Sequence, residues 1–268
     1  MLNNQGEQRP LENTELPASV YAVAPWQGVT SKYSFVPTSH IVSALGEVGL
    51  RPYLAKASRT RIESKQGLTK HLLRFRQDNS PMLPGGIYPE VVIVNSHDTG
   101  SSFQASLGLF RLICKNGMVA DYGNFASYRG RHVGITLEAI MLGVNRVVNQ
   151  FPRLAETVQK MQTVTLNQDA RLSFARLASS LRWNVDKAPL EASMLLMTRR
   201  YEDEAPTLWN VFNTVQENML QGQSIRTFGP GFRGYRMRTT STRAIRAIDA
   251  EMDINAGLWK LAQTYVGV

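Results

Sequence analysis

A single cysteine, Cys114, stands in a chain of 268 residues. One thiol closes no internal disulfide and builds no thiolate zinc cluster, so both kinds of scaffold are excluded. Its apolar neighbours in LFRLIC predict a buried, inert thiol rather than a nucleophile. Long apolar runs are also missing: none approaches the ~18 residues that a membrane-spanning helix needs. The opening MLNNQGEQRPLENTELP lacks the charged-then-apolar order of a secretory leader, which predicts a reducing, cytoplasmic setting and no membrane partner. Neither GxxxxGK[ST] nor GxGxxG falls between a strand and a helix, so no phosphate-cradling loop and no cofactor are expected.

Acidic residues are the remaining shortage. Lys and Arg number 30 against 21 Asp and Glu, a net charge of +9 that favours a polyanionic partner. The excess is concentrated. From Arg51 to Arg76 stand Arg51, Lys56, Arg59, Arg61, Lys65, Lys70, Arg74 and Arg76, with Glu63 as the one acid. From Gly222 to Ile248 there is no acid at all, but Arg226, Arg233, Arg236, Arg238, Arg243 and Arg246 alternate with Phe228, Phe232 and Tyr235 among glycines. Arginines interleaved with rings on a flexible loop, residues 222–243, suit single-stranded nucleic acid, where phosphates give affinity and rings stack bases. The competing reading docks this loop on an acidic surface such as RYEDE, Arg200–Glu204.

Between the tracts the apolar pattern is that of a sheet. LTKHLLRFRQ, YPEVVIVNSHDTGSS and FQASLGLFRLICKNGMV read as consecutive strands, with a turn at Lys115-Asn116-Gly117. Val91–Val94 is apolar throughout, as in a strand covered on both faces. The two-residue period puts Lys70, Leu72, Arg74 and Arg76 on one face, expected to be a cationic face in solvent, and Thr69, His71, Leu73 and Phe75 on the core face. Tyr33–Val36 reads as a short strand. A helix follows with Ile41, Val42, Leu45 and Val48 on one face, Ser39 as N-cap and Gly49 past its end.

From Thr136 the period is 3.6. Helices are expected around Leu137–Phe151, interrupted at Pro152, then beyond Asn167, over Leu190–Arg200, from Leu208 to Gly222, and around Ile254–Leu261. The expected fold is α+β: an antiparallel, meander-like sheet over about residues 33–120, backed by a mainly helical C-terminal half. Residues 1–18 read as a flexible arm and 19–268 as one domain, sheet-rich over 33–135 and helical over 136–268.

Adjacent His97 and Asp98 in the polar loop invite a metal or general-base reading, with Glu90 as a distant acid. Neighbours on a strand or turn diverge, however, and Asx- and Ser-type turns explain the same letters. Tyr122, Phe125, Tyr128, Arg129, Arg131 and His132 mix rings with cations and fit either base stacking or packing on the sheet.

VVIVNSHDTGSS, LGLFRLICKNGMV, HLLRFR, LWNVFNTVQENMLQG and INAGLWKLA together resemble the "domain of unknown function 932" family, with Thr99 intervening before Gly100 of the usual NSHDG. The resemblance implies a phage or plasmid setting and no established activity, so it assigns no catalytic residue. A looser likeness is to single-strand annealing proteins of the Rad52 and phage recombinase type, which implies homo-oligomers holding single-stranded DNA in a cationic groove. The expected function is non-enzymatic: single-stranded DNA binding and annealing in mobile-element recombination. Arg59, Arg61, Lys65, Lys70, Arg74 and Arg76 form the phosphate track, and Arg226, Phe232, Arg233, Tyr235, Arg236 and Arg238 the second contact. The alternatives are a protein that binds and blocks a host factor and, last, a metal-dependent nuclease.

Overall fold

The computed structural model describes residues 9–78, 82–111, 116–119, 127–184, 187–231 and 234–267. The chain divides into two compact units, Met1–Ala155 and Glu156–Val268, where the sequence reads as one domain from residue 19.

In the first unit β1 (Leu50–Ala57), β2 (His71–Gln77), β3 (Ile87–Asn95) and β4 (Phe103–Arg111) form an antiparallel meander in chain order. Its far edge is shared by two short strands, both antiparallel to β4. β5 (Asn116–Val119) pairs with Gly108–Arg111, and β6 (Tyr128–Gly130) with Phe103–Ala105. Asn116 and Gly117 pair with Arg111 and Phe110, inside the ladder. Asn116 and Gly117 are therefore not the turn expected at Lys115-Asn116-Gly117; residues 112–115, Cys114 among them, lie outside the described residues. The ladder register overrides the local turn preference. Val91–Val94 are all buried, as a strand covered on both faces requires.

Helix α1 (Thr38–Glu47) packs on β1, α2 (Leu137–Val148) packs on β4 and β6, and the two helices touch. Tyr33–Val36 is irregular rather than a strand. The N-cap of α1 is Pro37, not Ser39, because the helix opens a residue earlier at Thr38. Gly49 follows its end with φ of +78°, the left-handed geometry that a C′ glycine supplies. Residues 9–18 are not a free arm: Leu16 is buried, Arg9 pairs with Glu15 at 2.7 Å, and the Leu11 N–H donates to the Pro52 carbonyl at 2.6 Å.

Helix α3 (Phe151–Thr163) opens one residue before Pro152, which sits in its first turn where a missing N–H costs no helical bond, and it carries the boundary between the units. In the second unit Asn167 caps α4 (Gln168–Ser180), accepting from the Ala170 N–H at 2.8 Å. Helix α5 (Leu208–Leu220) is capped by Thr207 and buried at every residue. Leu190–Arg200 holds only a 3-10 turn, Ala192–Leu196, instead of the expected helix. Its buried Leu190 and Leu195 are five residues apart, a spacing that one α-helical face does not align. After α5 the chain makes a two-stranded sheet, β7 (Ser224–Gly231) and β8 (Gly234–Ser241), and closes with α6 (Ile248–Val266). Among the described residues no helix is long and apolar enough to cross a membrane.

Candidate functional site

The two basic tracts fall in different units and take different forms. In the first, Arg59 and Arg61 are exposed on the connection between β1 and β2, and Lys70 is half-buried. Lys65 is engaged internally. Its ammonium donates to the Asp98 carbonyl at 3.1 Å and sits 4.4 Å from the centre of the Trp26 ring, whose Nε1 donates to Ser64 Oγ at 3.2 Å.

Arg74 and Arg76 do not face solvent; they are 2% and 4% exposed. Continuing the β2–β3 register puts Glu90 across from Arg76 and diagonal to Arg74. Arg76 Nε donates to Glu90 Oε1 at 2.8 Å, Arg74 Nε donates to Glu90 Oε2, and a terminal nitrogen of Arg74 donates to the Leu109 carbonyl at 3.0 Å. Rings of Tyr53, Tyr88 and Phe110 lie 4.4, 4.9 and 4.2 Å from the Arg76 guanidinium carbon. The expected cationic face is thus an internal ion cluster. It removes Arg74 and Arg76 from any solvent-facing phosphate track, because the strand is buried on both faces.

The second tract is a ribbon rather than a flexible loop. β7 and β8 pair without a break from Ser224↔Ser241 to Gly231↔Gly234. Only two residues, 232 and 233, separate the closing glycines, the spacing of a tight hairpin. Phe232 and Arg233 lie outside the described residues. Tyr235, Arg236 and Arg238 are in β8, paired with Pro230, Gly229 and Thr227; Arg226 is exposed in β7 and paired with Thr239. Alternate positions of a strand share a face, so Arg236 and Arg238 have one parity and Arg226 the other.

The root of the ribbon is held firmly. Gly222 has φ of +75°, and a Cβ there would lie 2.3 Å from the Thr242 carbonyl oxygen. The Thr242 N–H donates to the Gln223 carbonyl at 2.8 Å, and the Ile245 N–H to the Leu220 carbonyl at 2.8 Å. Arg199 donates to the Gly222 carbonyl at 2.6 Å and to Asn218 Oδ1 at 3.0 Å. Arg182, stacked over Trp183 at 4.6 Å, donates to the Met219 carbonyl and, at 2.5 Å, to that of Arg243. Both stems are thereby tied to the C-terminal end of α5, where cations suit the negative end of the helix dipole. Burial pushes the Arg182 pKa below its usual value. RYEDE is partly spoken for: Arg200 bonds buried Asp203 at 2.9 Å and Glu217 at 2.7 Å.

A third group is polar and enclosed. Thr38 Oγ1 lies 3.0 Å from His71 Nε2, 3.1 Å from His97 Nε2 and 2.9 Å from Asn95 Nδ2, all buried. His71 Nδ1 faces the Thr69 carbonyl at 3.1 Å, which only accepts, so Nδ1 carries the proton and Nε2 accepts from the Thr38 hydroxyl. His97 must then donate from Nε2, which leaves its Nδ1 an acceptor with no hydrogen-bond partner among the described residues. Burial holds the His71 pKa down to about 4, and burial together with the neighbouring imidazoles holds His97 at about 3. His132 stacks on Tyr33 with ring centres 4.8 Å apart, and burial raises the Tyr33 phenol to about 12.

His97 and Asp98 diverge. Asp98 Oδ1 accepts from the Gly100 N–H at 2.9 Å, and Ser96 Oγ accepts from the Ser101 N–H at 2.8 Å, so the loop is built of Asx- and Ser-type turns around Thr99 at φ +69°. Glu90 is occupied by the two arginines, and among the described residues no three His, Cys, Asp or Glu side chains are placed to hold a metal ion. Of the mixed aromatic and basic loop, Tyr122 and Phe125 lie outside the described residues. Tyr128 packs inward, since a Cβ on Gly143 of α2 would overlap its ring.

This sheet unit and ribbon-bearing helical unit define an α+β protein, and the chain belongs to the family described as "Domain of unknown function (DUF932)", whose model matches residues 25–259. It is similar to two proteins of Escherichia coli (strain K12). "UPF0380 protein YfjQ" is 32% identical over 259 residues, covering 96% of this chain and 92% of the relative. "UPF0380 protein YafZ" is 32% identical over 258 residues, covering 95% and 91%. No solved structure matches the chain.

Proposed function

We propose that the protein binds nucleic acid through the β7–β8 ribbon. The observation that carries this reading is an antiparallel ribbon set in a tract, residues 222–248, that holds six arginines and no acid. Like charges on such a ribbon oppose its pairing with another copy of itself and favour a polyanion. Arg59 and Arg61, exposed in the other unit, are a second phosphate contact. Arg74, Arg76 and Lys65 are left out, because each is engaged inside the protein. Annealing of single strands by a homo-oligomer, in the recombination of a mobile element, is proposed on the same charge and on the α+β layout; oligomers and annealing are its own test.

Titration of labelled single- and double-stranded DNA at low and moderate salt tests the reading. Binding that falls steeply with salt and leaves the DNA intact supports it, because each neutralised phosphate releases counterions. No binding at low salt contradicts it. A second reading, capture of a host protein, has one observation in its favour. The ribbon has no third strand among the described residues, and open strand edges accept an added strand.

A further inference from the structure

At the foot of the ribbon is a cleft of about 260 Å³, lined by residues 197–199, by Asn218 of α5 and by residues 222–225 at the start of β7. It is smaller than the ~300–1,000 Å³ of a drug-sized pocket, so its occupant is a small group such as a single flat heterocycle. No lining residue is acidic, and Glu217, beside Asn218, is bonded to Arg200 at 2.7 Å.

Register shows how the ribbon meets the cleft. Ile225 and Thr240 are cross-strand partners and both half-buried, whereas the next pair, Arg226 and Thr239, is exposed. One face of the ribbon root is therefore turned to the cleft, where Ile225 forms part of the wall, and the other presents Arg226 to solvent.

The Arg199 guanidinium is held by its edge. Its Nε donates to Asn218 Oδ1 at 3.0 Å, one terminal nitrogen to the Gly222 carbonyl at 2.6 Å and the other to Gln221 Oε1 at 3.4 Å. Bonds in the plane leave the faces of the fork for a ring to stack on, and Arg199 is exposed. Met197, 55% exposed, adds a thioether that packs well against an aromatic ring. The amide oxygen of Gln223 and the hydroxyls of Thr198 and Ser224 make no hydrogen bond among the described residues, so they are available to the polar edge of a heterocycle. A phosphate is the poorer occupant, since Arg199 is the one cation in the lining and already gives three N–H groups to protein acceptors.

Resting on the nucleic-acid reading above, we infer that this cleft receives one unpaired base of a single strand whose phosphates run past Arg226. A paired duplex enters only if a base is first extruded from its stack.

The test uses the full chain with three labelled probes of one length: a mixed-sequence single strand, its duplex, and a fully abasic strand that keeps every phosphate and loses every base. The single strand binds more tightly than the duplex, and more tightly than the abasic strand by about fivefold or more, the lower end of the stacking contribution of one base. Met197→Ala removes an exposed side chain and no charge. It narrows the gap between the normal and abasic strands and leaves the salt slope unchanged. If wild type binds the abasic strand as tightly as the normal one, if it prefers the duplex, or if Met197→Ala keeps the full gap, the base-cleft assignment is overturned while the nucleic-acid reading stands. If no probe binds at low salt, both fall.

Discussion

Arg76 and Glu90 face one another across β2 and β3 in the interior of the sheet, with Arg76 Nε donating to Glu90 Oε1 at 2.8 Å. This pairing, shared with Arg74, turns a stretch that reads as a cationic surface into a structural element. Removing the carboxylate leaves buried guanidiniums without their counter-charge. Glu90→Gln lowers unfolding stability by about 3–5 kcal/mol in urea titrations. Replacing all three groups with apolar residues of similar volume restores much of that loss, and equal destabilisation by the triple replacement would refute the ion-cluster account.

Thr38 is the hub for three buried donors and acceptors, and its hydroxyl is saturated with one bond given and two received. Thr38→Val keeps the shape and strands His71, His97 and Asn95. The expected cost is about 2–4 kcal/mol, from buried polar groups left unsatisfied. Thr38→Ser keeps the hydroxyl and is milder. Denaturant midpoints that rank Ser no better than Val would refute the tautomer assignment.

The same cluster sets an acid limb. Both histidines titrate lower in the folded chain, at about 4 and about 3, than the unfolded value of about 6.5. Between those values the unfolded chain binds more protons. Their contribution is therefore full above pH ~6.5 and drains as the pH falls towards 4 and 3, by about 1.4 kcal/mol per pH unit per group. Urea midpoints at pH 7 and pH 5 measure the slope. His71→Gln should flatten it, and an unchanged slope would contradict the assignment.

Gly222 ends α5 and opens the ribbon at φ +75°. Gly222→Ala forces a left-handed alanine against the Thr242 carbonyl and costs more than about 1 kcal/mol. Hydrogen exchange in the stem residues Gln223 and Thr242 should speed up while the sheet unit is unaffected. Uniform acceleration in both units would contradict a local clamp.

Much of the sheet was legible because Val91–Val94 is an apolar run bounded by turn residues and Leu73 and Phe75 alternate on one strand face. Asn167 and Gly49 were legible because caps act through their own side chain or φ. Three features were not. Glu90 sits alone among apolar residues, and only the register shows that it meets Arg76. Glycines and Pro230 in the second tract read as loosening the chain, whereas Gly229, Pro230, Gly231 and Gly234 are all ladder positions. The Thr38–His71–His97 cluster joins residues 33 and 59 positions apart, beyond any local spacing. Of the site, the charge was visible and its burial was not: local pattern separates faces of a strand but does not say that both are covered.

The most direct measurement is the salt dependence of DNA affinity for wild type, for Arg226→Glu/Arg236→Glu/Arg238→Glu, and for Arg74→Gln as an interior control verified to be folded. The account predicts that the ribbon variant loses most affinity and that its slope of log K against log salt becomes shallower by about 0.9 for each phosphate contact removed, while the Arg74 variant keeps the wild-type slope. A ribbon variant that binds DNA with wild-type affinity and slope would contradict it.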